Sequence, residues 1–355
     1  MLYHVITYLS ALPNTFSFRM QNSPLVLVIG TGSIGERHLR CLQTTARCRL
    51  SFCEPIEERR REVATRYGIE TDLAFPTLEA ALASGQNFTA AVVSAPAPFH
   101  IPMGRELAER GIHILMEKPL SLSLDGVEDF RNLIEQKEIV VAIGYTHRAH
   151  PGMMRLKEIY DSGEFGQAIE MRIDVGQPFA KIRPAYPDVY FADRAMGGGA
   201  IQDMITHFYS VGDWLLGPID ELVTHARHQA LPRVEVEDTV HTLALHGKVM
   251  ATYAQNLTQP QNEATLTLIC EQGSIRTDYA KKRVSHIREP NGEWEHTPFT
   301  LDDIDEIYIT QNSAFLDALE NKGPVLCTLE EAIRTLRVNL ASLKSAETKT
   351  WQSLS

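Results

Sequence analysis

No run of apolar residues in this 355-residue sequence reaches the ~18 to 20 needed for a membrane-spanning helix. Basic stretches are scarce as well. The longest, Arg59-Arg60-Arg61, follows Glu57-Glu58 and reads as the solvated face of a helix. The formal net charge is −11, so the electrostatic footprint of a nucleic-acid binder is missing. Cysteine is sparse: Cys41, Cys48, Cys53, Cys270 and Cys327 show no metal-ligand or redox spacing, and an odd count closes no disulfide set. Reduced, mostly buried thiols in a reducing compartment are expected, which fits a cytoplasmic protein. There is no internal repeat, low-complexity segment or proline-rich linker.

What remains is an ordinary globular composition, 44% hydrophobic and 22% charged. The length suggests two domains. Residues 1–23 read as an N-terminal extension. Val5 to Leu12 is apolar, but no basic segment precedes it and no twin-arginine signal is present. Met20 stands just before the first clear strand, so translation from Met20 is expected; native protein beginning at Met1 would reject this.

Residues 24–147 read as a doubly wound α/β domain. Short apolar runs (Leu25–Ile29, Leu50–Cys53, Ala90–Val93, Ile112–Met116, Ile139–Ile143, and a weaker one near Ile69–Leu73) alternate with helical stripes. One stripe is Ile34, His38, Cys41 and Leu42. Another is Val127, Phe130, Leu133 and Ile134, opened by Asp125 as N-cap. Strand–helix alternation implies a parallel sheet with right-handed crossovers. Residues 148–355 change rhythm. One helix covers Met153 to Tyr160. Longer alternating strands follow at Ala168–Val175, Glu221–His228, Thr239–His246, Val249–Asn256 and Ala264–Cys270, with helices at Gly199–Leu216 and after Ile309. That pattern predicts an α+β domain with an open, largely antiparallel sheet.

Gly30-Thr31-Gly32-Ser33-Ile34-Gly35 follows the first strand and opens the first helix. Gly30 permits the turn, Gly32 lets backbone approach a pyrophosphate, and Gly35 lets helix and strand pack closely. The helix start at Ser33 and Ile34 offers N–H groups to phosphate. Glu54, nineteen residues after Gly35, ends the second strand, where a carboxylate bonds the adenine ribose hydroxyls. This favours NAD. One of Arg59 to Arg61 folding back would accept a 2′-phosphate, so NADP stays open. Ser94, Pro96 and His100 lie in or beside the loop after the fourth strand, next to the cofactor crevice.

Glu117-Lys118-Pro119, in the context HILMEKPLSLS, resembles the EKP signature of the Gfo/Idh/MocA oxidoreductases, the glucose–fructose oxidoreductase and inositol dehydrogenase family. The resemblance runs from about Leu25 to Thr350. It includes GYTHRAHP at Gly144–Pro151, LKEIYDSGEFGQ at Leu156–Gln167, GGGAIQDMITH at Gly197–His207 and TLEEAIRTLRVNLASLKSAET at Thr328–Thr348. The family usually has an Asn or similar residue at Thr146 and an aromatic at Ala149. The resemblance implies a nicotinamide cofactor, a sugar, cyclitol or nucleotide-sugar substrate, and dimers or tetramers built through the second sheet. The closing helix is expected to pack back on the first domain.

On that resemblance Lys118, Asp203 and His207 are the catalytic set, with Glu117 and Lys118 beside the cofactor and His147 and Arg148 facing cofactor or substrate. An ammonium at Lys118 favours the alkoxide. His207, titrating near neutrality, suits a general base. Asp203, four residues earlier, shares its helix face and orients it, stabilises its protonated form or binds a substrate hydroxyl. Glu117 pairs with Lys118 or braces the loop. The loop Gln177–Arg194 brings Pro178, Phe179, Arg183, Tyr186, Tyr190 and Phe191, suited to stacking on a sugar ring, with Arg183 and Tyr190 as substrate residues. Gly197-Gly198-Gly199 would let backbone approach a ligand. His147-x-x-His150 has no recognisable third ligand, so no metal is expected. A glycoside hydrolase that oxidises transiently with bound NAD, and a non-catalytic ligand-binding regulator, are the alternatives to a dehydrogenase.

Overall fold

The computed structural model describes residues 23–354; the Met20 question and nearly all of the N-terminal extension lie outside them. The first sheet has β1 (Leu25–Ile29), β2 (Arg49–Cys53), β3 (Ala74–Phe75), β4 (Ala90–Val93), β5 (His113–Met116) and β6 (Val141–Ile143). All pairs are parallel, in the order β3-β2-β1-β4-β5-β6. The residues of β1 and β4 are buried without alternation, as strands covered on both faces must be. The helices α1 (Ser33–Thr45), α2 (Glu57–Tyr67), α3 (Leu78–Leu82), α4 (His100–Glu109) and α5 (Val127–Lys137) connect them.

The second sheet holds β7 (Ala168–Gly176), β8 (Glu221–Arg227), β9 (Thr239–His246), β10 (Val249–Asn256), β11 (Glu263–Cys270), β12 (Gly273–Asp278), β13 (Arg283–Ile287), β14 (Glu295–Pro298) and β15 (Gln352–Ser353). It runs β14-β13-β12-β11-β7-β10-β9-β8-β15; only β7 and β10 pair in parallel. Burial alternates along β9 and β11, so one face packs on the helices and the other stays open. Its helices are α6 (Pro151–Asp161), the short α7 (Phe179–Ile182), α8 (Thr206–Leu216), α9 (Asp305–Leu319) and α10 (Leu329–Thr348).

The last two helices return to the first sheet. Phe315 and Leu316 of α9 join the core on one side, with Val26, Val28 and Phe52. Leu329, Ala332, Ile333 and Leu336 of α10 join the core on the other, with Leu27, Ile29 and Ile143. Ile143 N–H donates to the Cys327 carbonyl at 3.0 Å.

Several expectations are corrected. Ile69 and Glu70 lie past the end of α2 and Thr71–Leu73 is a 3-10 turn; the strand is the two residues after it. Asp125 is not the cap of α5: Gly126 occupies that position in left-handed backbone, and Asp125 accepts from Ser123 Oγ instead. The helix read as Met153–Tyr160 starts at Pro151, capped by His150, and α9 starts at Asp305, before Ile309. All five cysteines are buried free thiols, and burial raises each, Cys270 to about 11. No helix among the described residues is long and apolar enough to cross a membrane.

Candidate active site

The glycine-rich turn is tightly built. A Cβ on Gly35 would sit 1.8 Å from the Gly30 carbonyl oxygen, so only glycine lets α1 start so close to β1. Ser94 Oγ donates within 2.9 Å of the Ile29 and Gly30 carbonyls and fastens the turn to the end of β4. Nothing lies within 4 Å of the Cβ position of Gly32, and α1 has no side-chain cap. Open approach and uncapped N–H groups at Ser33 and Ile34 fit a dinucleotide pyrophosphate.

Glu54 is buried at the end of β2. Its carboxylate accepts from Thr31 Oγ1 at 2.5 Å and from Ile56 N–H at 3.0 Å. Arg59 does fold back: its guanidinium donates to the Thr31 carbonyl, and Nε lies 3.6 Å from Glu54. Arg60 donates to the Glu54 carbonyl, while Arg61 pairs with Glu57 in solvent. Thr31 has no signal in the sequence as a partner of Glu54, and of the three candidates Arg59 to Arg61 it is Arg59 that turns toward Glu54. Pro96 starts the turn that carries His100 into α4. The His100 ring nitrogens lie 2.8 Å from the Ala95 and Pro119 carbonyls, which ties together the loops after β4 and β5.

Glu117 does not pair with the Lys118 ammonium. Its carboxylate lies 2.9 Å from His38 Nε2, whose other nitrogen faces Asn312 of α9 at 3.1 Å. No local pattern in α1 announces that partner. Lys118 Nζ reaches across to the second domain instead. It donates to the Asp203 carbonyl at 2.5 Å and to Asp203 Oδ1 at 2.8 Å. Tyr190 O–H also donates to Oδ1 at 2.8 Å, and Arg183 Nη1 lies 3.6 Å from Oδ2. Burial alone would raise the Asp203 carboxyl, but Lys118 and Arg183 outweigh it and hold it below its usual value.

Asp203 lies in a π-helical turn, Ile201–Ile205, that precedes α8. No hydrogen bond joins Asp203 to His207 among the described residues; Asp203 Oδ2 and His207 Nδ1 both lack a hydrogen-bond partner there. His207 is buried, and its Nδ1 has no hydrogen-bond partner. The Tyr145 ring meets it edge-on at 5.9 Å and the His147 ring lies at 4.9 Å. Burial above all, then Lys118, His147 and Arg183, pushes His207 well below its ordinary value, so it does not titrate near neutrality.

His147 and His150 have work of their own. His147 Nδ1 lies 3.2 Å from the Tyr279 hydroxyl. His150 stacks on Tyr279 at 3.5 Å and accepts from Gly152 N–H at 3.1 Å. Burial holds His147 at about 4, with Lys118 contributing, and His150 at about 3, with His147 contributing. Both rings bind a proton more readily in the unfolded chain. The stability they lend is complete above about pH 6.5 and is lost as the pH falls through their folded values. The thermal midpoint should therefore drop between about pH 7 and pH 5, before most carboxylates protonate. Calorimetry showing a flat midpoint across that range would contradict this.

Arg148 is not a ligand-facing residue. It is fully buried, and its guanidinium donates to Ser210 Oγ and the Ser210 carbonyl at 3.0 Å, to the Leu326 carbonyl at 3.1 Å and to Glu331. With its donors spent on α8 and α10, it locks the second domain to the returning helix. The long loop is also divided. Phe179, Tyr186 and Phe191 are buried against one another, with ring centroids 4.5 to 5.9 Å apart, and do not stack on a ligand. Only Arg183 and Tyr190 of that set reach Asp203. The glycines before α8 are there for packing. A Cβ on Gly198 would lie 2.2 Å from the Phe191 carbonyl, and one on Gly199 would meet Glu237, which accepts from Ile201 N–H.

Residues 25–145 match an oxidoreductase family with an NAD-binding Rossmann fold, and residues 153–276 match the GFO/IDH/MocA C-terminal domain. The chain is similar to an uncharacterized oxidoreductase of Synechocystis, 28% identical over 58% of this chain and 55% of that protein. It is also similar to the scyllo-inositol 2-dehydrogenase (NAD(+)) of Bacillus subtilis, 23% identical over 92% of this chain and 95% of that protein. In fold it resembles an oxidoreductase from Agrobacterium radiobacter solved with NAD+, L-tartaric acid and magnesium: TM-score 0.82, 18% identity, 93% of this chain and 98% of that one.

Proposed function

Because this chain belongs to the Gfo/Idh/MocA oxidoreductase family, we propose that it is an NAD-dependent dehydrogenase acting on a CH–OH group of a sugar, cyclitol or nucleotide sugar. The observation that carries this reading is the buried cluster of Lys118, Asp203 and His207, in which Asp203 Oδ2 and His207 Nδ1 lack hydrogen-bond partners. Buried polar atoms left open are costly unless a ligand meets them. The cluster draws on the carboxyl end of β5, where open α/β sheets hold their ligands.

Gly30, Gly32, Ser33, Ile34, Gly35 and Glu54 would hold the dinucleotide, which accepts or returns the hydride when bound. Ser94 and His100 brace the loops around it. Lys118 holds a positive charge where the alkoxide develops, and the Asp203 carboxylate fixes that ammonium in place. His207 accepts the hydroxyl proton at an open ring nitrogen. As a weakened base it leaves more of the oxygen's charge to Lys118. Tyr190 and Arg183 line the substrate side. Similarity to an inositol dehydrogenase supports a polyhydroxylated ring as the substrate's core. The same reading includes a homodimer or homotetramer in the cytoplasm, formed through the open face of the second sheet. Leu243, Met250 and Ile169 are exposed on that sheet.

The test is NADH absorbance with purified protein, NAD and a panel of sugars, cyclitols, sugar acids and nucleotide sugars. NADH should accumulate with one class. Silence across the panel, with aryl glycosides cleaved instead, would replace the dehydrogenase with the hydrolytic reading.

A further inference from the structure

The charges around Asp203 do not balance. Two cations, Lys118 and Arg183, face one carboxylate. Glu117 is engaged with His38, and burial together with the neighbouring cations keeps His147 and His207 neutral. Lys118 already satisfies Asp203 Oδ1 at hydrogen-bond distance, with its side chain 13% exposed. Arg183 is different. Its nearest carboxylate oxygen is 3.6 Å away, beyond a hydrogen bond, and its side chain is 46% exposed.

Arg183 is also held in place. Its backbone N–H donates to the Phe179 carbonyl at 2.8 Å, and its guanidinium carbon lies 5.6 Å from the Phe179 ring. That ring is fully buried against Phe191. Beyond its contacts with Asp203 and the Tyr190 hydroxyl, this half-exposed guanidinium keeps part of its planar donor fork for something else. If it served only to neutralise Asp203, Lys118 would make it redundant.

We infer that the substrate carries a carboxylate, which Arg183 receives through its fork while the reacting hydroxyl meets Lys118 and His207. The enzyme's substrate is then a sugar acid rather than a neutral polyol. This rests on the reading of the Asp203 pocket as the substrate site. Specificity follows from the surplus charge: a neutral polyol leaves Arg183 without its anion, whereas a carboxylate completes the set.

The test compares binding of matched probes to the full-length protein loaded with NADH, read by nicotinamide fluorescence. D-Gluconate is compared with D-glucitol, and D-glucuronate with D-glucose. D-Glucose 6-phosphate forms a third arm. At least one acid should bind about 10-fold or more tightly than its neutral partner. Arg183→Met, which keeps the stem on Phe179, should close that gap, and Arg183→Lys should restore part of it. Acids that bind no better than neutral partners, or a gap untouched in Arg183→Met, overturn the inference. Tighter binding of the phosphate ester than of either acid overturns the carboxylate. Binding is read without turnover, so a silent NADH assay with acids still bound defeats the dehydrogenase reading alone.

Discussion

Replacing Lys118 with Met should lower kcat/KM by about 10²- to 10³-fold while NAD binding stays within a few-fold. The ammonium sits 2.8 Å from a buried carboxylate, and among the described residues its hydrogen bonds go to Asp203 and not to the dinucleotide turn. Burial pushes His207 well below its ordinary value, so on the proposed mechanism the loss of Lys118 should cost more than the loss of His207. Asp203→Asn should cost nearly as much, and the double variant little more than either single one, because the two groups act as a unit. Single-turnover kinetics with a folded variant would decide. Near-normal turnover in Lys118→Met would remove Lys118 from the chemistry.

Arg148→Met should destabilise the protein by about 3–5 kcal/mol, the usual cost of breaking a buried ion pair from one side. The lost guanidinium removes a partner from Ser210 Oγ and the Leu326 carbonyl and leaves Glu331 with its capping contacts to Thr328. Asp213, whose Oδ2 lies 3.8 Å from Arg148 Nη2, suffers less, since Arg334 still binds both its oxygens at 2.8 Å. The guanidinium chloride midpoint should fall, and Ser210→Ala should lose only about 1 kcal/mol. A raised KM with unchanged stability would instead return Arg148 to the substrate side.

The contrast between these two residues shows what was legible in the sequence. Lys118 sits in a motif whose strand, turn and neighbours are local, so its place at the end of β5 could be read directly. Arg148 sits in a motif too, yet its meaning depends on partners 62 and 183 residues away. The strands of the first sheet were readable because burial on both faces makes them continuously apolar. β12, β13 and β14 were not: they are short, polar and near an edge, and β14 is exposed throughout. The aromatic loop misled for a similar reason. Phe179 and Tyr190 look alike in a string, and only packing assigns one to the core and the other to Asp203. The π turn at Asp203 has no sequence signature, and the partners of its carboxylate, Lys118 and Tyr190, stand 85 and 13 residues away.

The return of α9 and α10 to opposite faces of the first sheet bears on how the chain is made. The six strands of that sheet are all synthesised by Ile143, but the residues that cover it include Phe315 and Ala332. At ~5–20 residues per second, the ribosome needs on the order of 10–40 s to cross that interval. Throughout it the nascent N-terminal domain keeps apolar surface waiting for a helix not yet made. Its dependence on chaperones should be greatest while the second domain is emerging, and a premature stop late in the message would damage the half of the protein already complete.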